Sequence, residues 1–240
     1  MLNNFLFVAL PYIAMSVFLV GTIYKFRVRK FQYSSLSSQF LEGNQLFWGT
    51  IPFHWGIVTI FLGHLTAFLV PRGVLAWNAQ PLRLLILEIT AFAFALCVLV
   101  GLSLLMRRRF TNDRIKMVTN RTDQLLEWLL LVQVILGCWI AVGYRWGSSW
   151  FASDLSPYLW SVLRLDPQTA AVEAMPLVVK LHIIGASLIV LVFPFTRLVH
   201  FLVAPFHYTW RPYQRVMWYW DRRTVRKPES VWNQHPPKNN

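Results

Sequence analysis

The chain has 240 residues, of which 56% are hydrophobic and only 14% charged, against roughly a quarter charged in an ordinary globular domain. A soluble protein of this size lacks the interior to hide that much apolar surface, so a soluble globule is excluded. Lys and Arg total 23 against 10 Asp and Glu, a formal charge of +13, which suits nucleic acid, an anionic membrane surface or topology-setting loops according to where the charges fall.

The first long apolar run covers residues 5–24. It lacks a basic leader, and Tyr24-Lys25-Phe26-Arg27 is a poor small-residue cleavage site, so it is expected to remain as an uncleaved span. Lys25, Arg27, Arg29 and Lys30 follow it. A second run, 49–70, is followed by Arg72 and Arg83 only. The third, 84–106, leads into Arg107, Arg108, Arg109, Arg114, Lys116 and Arg121. The fourth, 125–143, opens onto a long connection, 144–176, with Arg145, Arg164, three prolines and Trp146, Trp150 and Trp160, which reads as an interfacial cap with aromatic anchors. The fifth run, 177–203, precedes a tail rich in arginine and tryptophan. Each run is long enough for a helix to cross a bilayer core of about 30 Å. The predicted fold is therefore an all-α membrane protein, a bundle of five transmembrane helices in residues 1–203 with a basic, aromatic tail at 204–240. Because the basic blocks follow the first, third and fifth spans, the positive-inside rule puts the N-terminus outside and the C-terminus in the cytoplasm. This distribution accounts for most of the charge, and no nucleic-acid partner is expected.

Cys97 and Cys138 lie within the third and fourth runs and read as small core residues rather than a disulfide or metal pair. The sequence has no Cys-x-x-Cys-His motif, which excludes covalent c-type haem, and no glycine-rich nucleotide fingerprint.

Four of six histidines fall inside two spans: His54 and His64 in the second, His182 and His200 in the fifth. An ionisable side chain within a membrane is costly and by default functional. The second span runs from inside to outside and the fifth returns, so by depth His54 pairs with His200 and His64 with His182. Two stacked bis-histidine sites suit two non-covalent b-type haem irons, because neutral imidazole is a good axial ligand. Helical geometry supports this in part. His182 and His200 stand five turns apart on one face, whereas His54 and His64 are offset by about 80°. The two rises also differ, about 15 Å against about 27 Å, and a kink at Pro194 is expected to absorb part of the mismatch. Gly56, Gly63 and Gly185 lie near the candidate ligands, where a flat ring or another helix could approach closely. Arg197, one turn before His200, is a candidate partner for a haem propionate. Arg72 and Arg83 read mainly as side chains that snorkel to the outer headgroups. His207 and His235, in the tail, read as surface residues.

The segment from His54-Trp55-Gly56-Ile57 to Phe61-Leu62-Gly63-His64, and that from Leu181-His182 to Phe193-Pro194-Phe195-Thr196-Arg197-Leu198-Val199-His200, resemble the gamma subunit of membrane-bound respiratory nitrate reductase. Pro11-Tyr12-Ile13-Ala14 and Arg107-Arg108-Arg109-Phe110 add to the likeness, which covers about residues 5–216. The resemblance implies a di-haem cytochrome b in a prokaryotic cytoplasmic membrane, anchoring an iron–sulfur beta subunit and a molybdenum alpha subunit on the cytoplasmic side. It further implies that the outer haem (His64, His182) takes electrons from the quinone pool as quinol, and that the inner haem (His54, His200) passes them on. Quinol protons would leave outside, and nitrate would be reduced in a partner subunit. The family's lysine at the start of the third span is replaced here by Gln80-Pro81-Leu82-Arg83. Arg83 is thus the candidate donor to a quinone oxygen or a propionate, although it cannot usefully release a proton. The same di-haem module would also serve a nitrite oxidoreductase or a sulfur-metabolism complex, and a transporter with intramembrane histidines is the more distant alternative. The tail is expected to lie on the inner leaflet or to dock a cytoplasmic partner.

Overall fold

The computed structural model describes residues 2–29, 37–38 and 41–203; the tail with His207 and His235 lies outside them. Five helices are long and apolar enough to cross a membrane: α1 (Leu2–Val28), α2 (Asn44–Leu69), α3 (Pro81–Thr111), α4 (Arg121–Gly143) and α5 (Leu177–Phe195). No strand occurs among the described residues. Leu19, Val20, Trp48, Trp55, Trp139 and Val142 are exposed on the bundle surface, as suits helices solvated by lipid.

The helices pack in the order α2–α3–α4–α5–α1. Glycines let α2 and α3 come closest: a Cβ on Gly56 would lie 2.7 Å from the carbonyl of Phe94, and one on Gly101 2.7 Å from that of Gly49. Helix α2 does not pack along α5, although these two elements lead to all four intramembrane histidines. That separation leaves room between the two pairs of ligands.

The connection between α4 and α5 folds back as short helical pieces, Gly147–Trp150, Phe151–Leu155, Ser156–Leu163 and Ala170–Glu173. Expected as an interfacial cap, it in fact builds the largest buried cluster. Leu155, Tyr158, Val162 and Val172 pack there with Phe7, Ile140 and Val179. It also caps orphaned helix carbonyls. Pro11 has no N–H to offer the carbonyl of Phe7, and the Tyr158 hydroxyl donates to that oxygen at 2.7 Å instead. Near the end of α2, the Phe68 carbonyl accepts from Trp160 Nε1 at 2.9 Å and from the Ser156 hydroxyl at 3.1 Å.

The fifth span is not one continuous helix. The α-helix stops at Val192, Phe193–Phe195 tightens into a 3₁₀ turn, Thr196 is extended (φ −108°, ψ 178°), and Arg197–Val203 forms a second 3₁₀ turn. Pro194 removes one backbone donor, and the carbonyls of the broken segment beyond Val192 are claimed by α1. Lys25 Nζ donates to the carbonyls of Pro194 and Thr196 at 2.9 and 3.3 Å. Phe18 meets Phe193 edge-on at 5.1 Å, and Gly21 leaves no room for a Cβ beside Pro194. Lys25 therefore ties two helices together instead of marking only a loop. Cys97 is corrected too: both cysteines are free thiols, but Cys97 lies exposed on the bundle surface, not in its core.

Candidate functional site

His54, on α2, and His200, on the turn after the break in α5, come together with ring centres 6.2 Å apart and planes at 62°. Two imidazoles sharing one iron, each with a metal–nitrogen bond of about 2 Å and a ring radius of about 1 Å, would be separated by roughly 6 Å. His54 Nδ1 lies 2.9 Å from the Thr50 carbonyl, and His200 Nδ1 bonds the Arg197 carbonyl. A carbonyl can only accept, so each Nδ1 carries the proton and each Nε2 keeps its lone pair for a ligand. Phe53 stands edge-on to His54, and Phe61 to Phe201, adding aromatic wall. His200 lies beyond the break in α5, on a 3₁₀ turn rather than on the α-helix that bears His182, and its ring meets His54 of α2.

His64 follows the same rule, with Nδ1 2.9 Å from the Ile60 carbonyl and Phe151 edge-on to its ring at 5.3 Å. Its neighbour Gly63 faces open space, with no atom within 4 Å of where a Cβ would be. His182, on α5, is half-buried, and its Nδ1 is buried without a hydrogen-bond partner. Its backbone carbonyl accepts from Gln133 Nε2 at 3.0 Å, while Gly137 makes room for the ring. His64 and His182 are within electrostatic reach of each other. Among the described residues, however, their rings make no contact like that of His54 and His200. The three glycines separate by role. Gly56 serves the α2–α3 contact, Gly185 abuts Gln133, and Gly63 alone borders open space.

Arg197 directs its guanidinium at Asp123, with Nη2 2.8 Å from Oδ2, and also donates to the Val118 carbonyl at 3.1 Å; a propionate would have to share it. Arg83 lies over the Trp77 ring at 5.1 Å. Several polar residues near these sites stand out only in three dimensions. Asp123, 3% exposed, also receives Arg109 at 3.5 Å, and Arg109 Nε pairs with Glu127 at 2.7 Å. Arg108 is buried against Glu42 at 2.6 Å. Burial pushes the Glu42 carboxyl up, but the N–H groups of Gln45 and Leu46 and the Arg108 guanidinium outweigh it and hold it below the usual carboxylate range. Arg108 and Arg109, which read as topology-setting charge, are thus paired structural groups as well. The sequence signal was modest: acids at 123 and 127, one turn apart at the entrance of an apolar run. Glu88, inside α3, accepts from both the N–H and the hydroxyl of Ser148 at 2.9 and 2.6 Å.

One pair of imidazoles in contact, three of the four with Nδ1 tied to the backbone, and His182 with a buried, unpartnered Nδ1 make a donor set whose chemistry fits b-type haem. Residues 3–219 match the family model described as nitrate reductase gamma subunit. The chain is 31% identical over 221 residues to respiratory nitrate reductase 2 gamma chain of Escherichia coli (strain K12), covering 90% of this chain and 96% of that protein. It is 29% identical over 208 residues to nitrate reductase gamma chain of Bacillus subtilis (strain 168), covering 85% and 93% respectively. With a nitrate reductase-like protein of Mycobacterium tuberculosis, NarX, identity is 27% over 89% of this chain but only 33% of that longer protein. The chain belongs to the nitrate reductase gamma-subunit family.

Proposed function

We propose that this chain is the di-haem cytochrome b subunit of a respiratory nitrate reductase in a prokaryotic cytoplasmic membrane. In this reading the N-terminus lies outside, quinol is oxidised near the outer face, and electrons leave to iron–sulfur and molybdenum subunits on the cytoplasmic face. The observation that carries it is the meeting of His54 and His200, ring centres 6.2 Å apart, with each Nδ1 bonded to a carbonyl. His54 and His200 would hold the inner haem, His64 and His182 the outer. Bound there, the two haems supply one-electron transfer across the bilayer.

The chain's own residues prepare both sites. Thr50, Ile60 and Arg197 fix the tautomers of three ligands through their carbonyls. Gly63 and the separation of α2 from α5 leave space for a flat ring, and the cap around Phe151 closes over His64. Arg83, over the Trp77 ring, is the candidate cationic donor in the first turn of α3 for a quinone oxygen or a propionate.

The test is a pyridine haemochrome assay on the purified complex. Two non-covalent haems b per copy are expected in the unmodified protein, and one in His182→Ala or His200→Ala. One haem or none in the unmodified protein, or haem that survives acid–acetone extraction, overturns the reading.

A further inference from the structure

Asp123 belongs to no histidine motif, yet it is joined to one by a short chain of bonds. Its Oδ2 takes Arg197 Nη2 at 2.8 Å, and the Arg197 carbonyl is the acceptor for His200 Nδ1. Arg197 is held a second time, by the Val118 carbonyl at 3.1 Å. Asp123 is itself fixed by a reciprocal cap at the start of α4. Its N–H donates to the Asn120 side chain at 2.7 Å, and its Oδ2 accepts from the Asn120 N–H at 3.4 Å. The element bearing His200 needs such an anchor. It is a 3₁₀ turn beyond an extended residue, without the continuous i→i−4 ladder that orients a side chain on an α-helix.

We propose that Asp123 is a positioning residue for the inner ligand His200, acting through Arg197. The carboxylate fixes the guanidinium, the fixed Arg197 presents its carbonyl, and that carbonyl sets the tautomer and plane of the imidazole. Partners that orient a ligating histidine tune both its basicity and the metal it binds. The carboxylate also balances the positive charge of Arg197 and Arg109 near this site. Replacing it with a neutral amide removes one of the two carboxylates that face these cations, Glu127 being the other, and the added net positive charge favours gain of an electron at the inner site.

This inference rests on the di-haem reading. The experiment is a redox titration with low-spin EPR of the whole complex, the inner signal being assigned by its loss in His200→Ala. In Asp123→Asn we expect two haems retained, an upward shift of the inner midpoint potential, altered inner g-values and an unchanged outer haem. Asn120→Ala weakens the same helix cap but leaves the Asp123–Arg197 bond, and should leave both haems as in the unmodified protein. If Asp123→Asn leaves the inner signal unmoved, or if Asn120→Ala shifts it equally, Asp123 serves only the helix cap and the proposal falls. Should Asp123→Asn fail to assemble, Arg197→Lys, which keeps the charge but shortens the reach, must alter the inner g-values; an unchanged signal overturns the proposal. Fewer than two haems in the unmodified complex would instead sink the di-haem reading itself.

Discussion

Tyr158 shows how one hydroxyl can compensate for one proline. It closes the carbonyl that Pro11 leaves open at Phe7, and it does so inside the main buried cluster. Burial, and secondarily Tyr12, push its phenol up to about 12. The raised value keeps the proton on the donor in the folded state. The unfolded chain would lose it near 10, so this group's contribution is complete below about pH 10 and disappears as pH rises towards 12. Tyr158→Phe should lower stability by about 1–3 kcal/mol at neutral pH, because a buried carbonyl loses its partner. It should also flatten the alkaline decline between pH 10 and 12. Thermal melts of detergent-purified protein across that pH range check both effects; equal slopes in the two proteins would rule out the phenol as their source. The pairing was invisible in the sequence, because nothing local to Pro11 indicates that a residue 147 positions later (158 − 11) will supply the missing donor.

Helices α2 and α3 are held together by glycines on both, and the two kinds of glycine on this pair should respond differently to an added methyl group. Gly101→Ala forces a Cβ against the backbone of Phe53 and Gly49, and overpacking of this sort costs about 1–3 kcal/mol. Gly63→Ala meets nothing in the chain, so the melting temperature should hold while haem at the His64 site is perturbed in content or spectrum. Loss of stability in Gly63→Ala without any haem effect would show that Gly63 serves packing instead. At this scale the sequence was legible where chemistry contrasts with its surroundings. Histidines stand out within apolar runs, and five such runs stand out between charged blocks. It was less legible where both solvents are apolar. A residue facing lipid and one facing the core have the same composition, which is why Cys97 reads as interior and lies outside. The break at Thr196 was foreshadowed by Pro194 only as a kink, since the extended residue depends on Lys25 from α1 to take up the opened carbonyls.

Across the whole molecule, the alternation of basic blocks predicts which connections face which side. An alkaline phosphatase reporter inserted after Trp146 should be active, since that connection lies outside in the proposed orientation, and one inserted after Lys116 should be inactive. The reverse pattern would invert the chain and exchange the roles of the two haem sites. The structure adds to this charge pattern that Arg108, Arg109 and Arg197 are paired with carboxylates. Composition reveals the sum of such charges and not their partners, so the ion-pair network beside His200 lay beyond a reading of the sequence.

The clamp of Lys25 on the carbonyls of Pro194 and Thr196 joins residues 169 and 171 positions apart. A nascent chain emerges with its first helix ahead of its last, so α1 enters the membrane long before the segment it will grip has been made. His54 and His64 are synthesised early, whereas His182 and His200, their proposed co-ligands, arrive only with the fifth span. In the proposed di-haem reading, neither iron site can be completed while the ribosome is still extending the earlier helices. Cofactor loading becomes a maturation step that follows synthesis of the fifth span, and a chain truncated before residue 177 would be inserted but unable to mature.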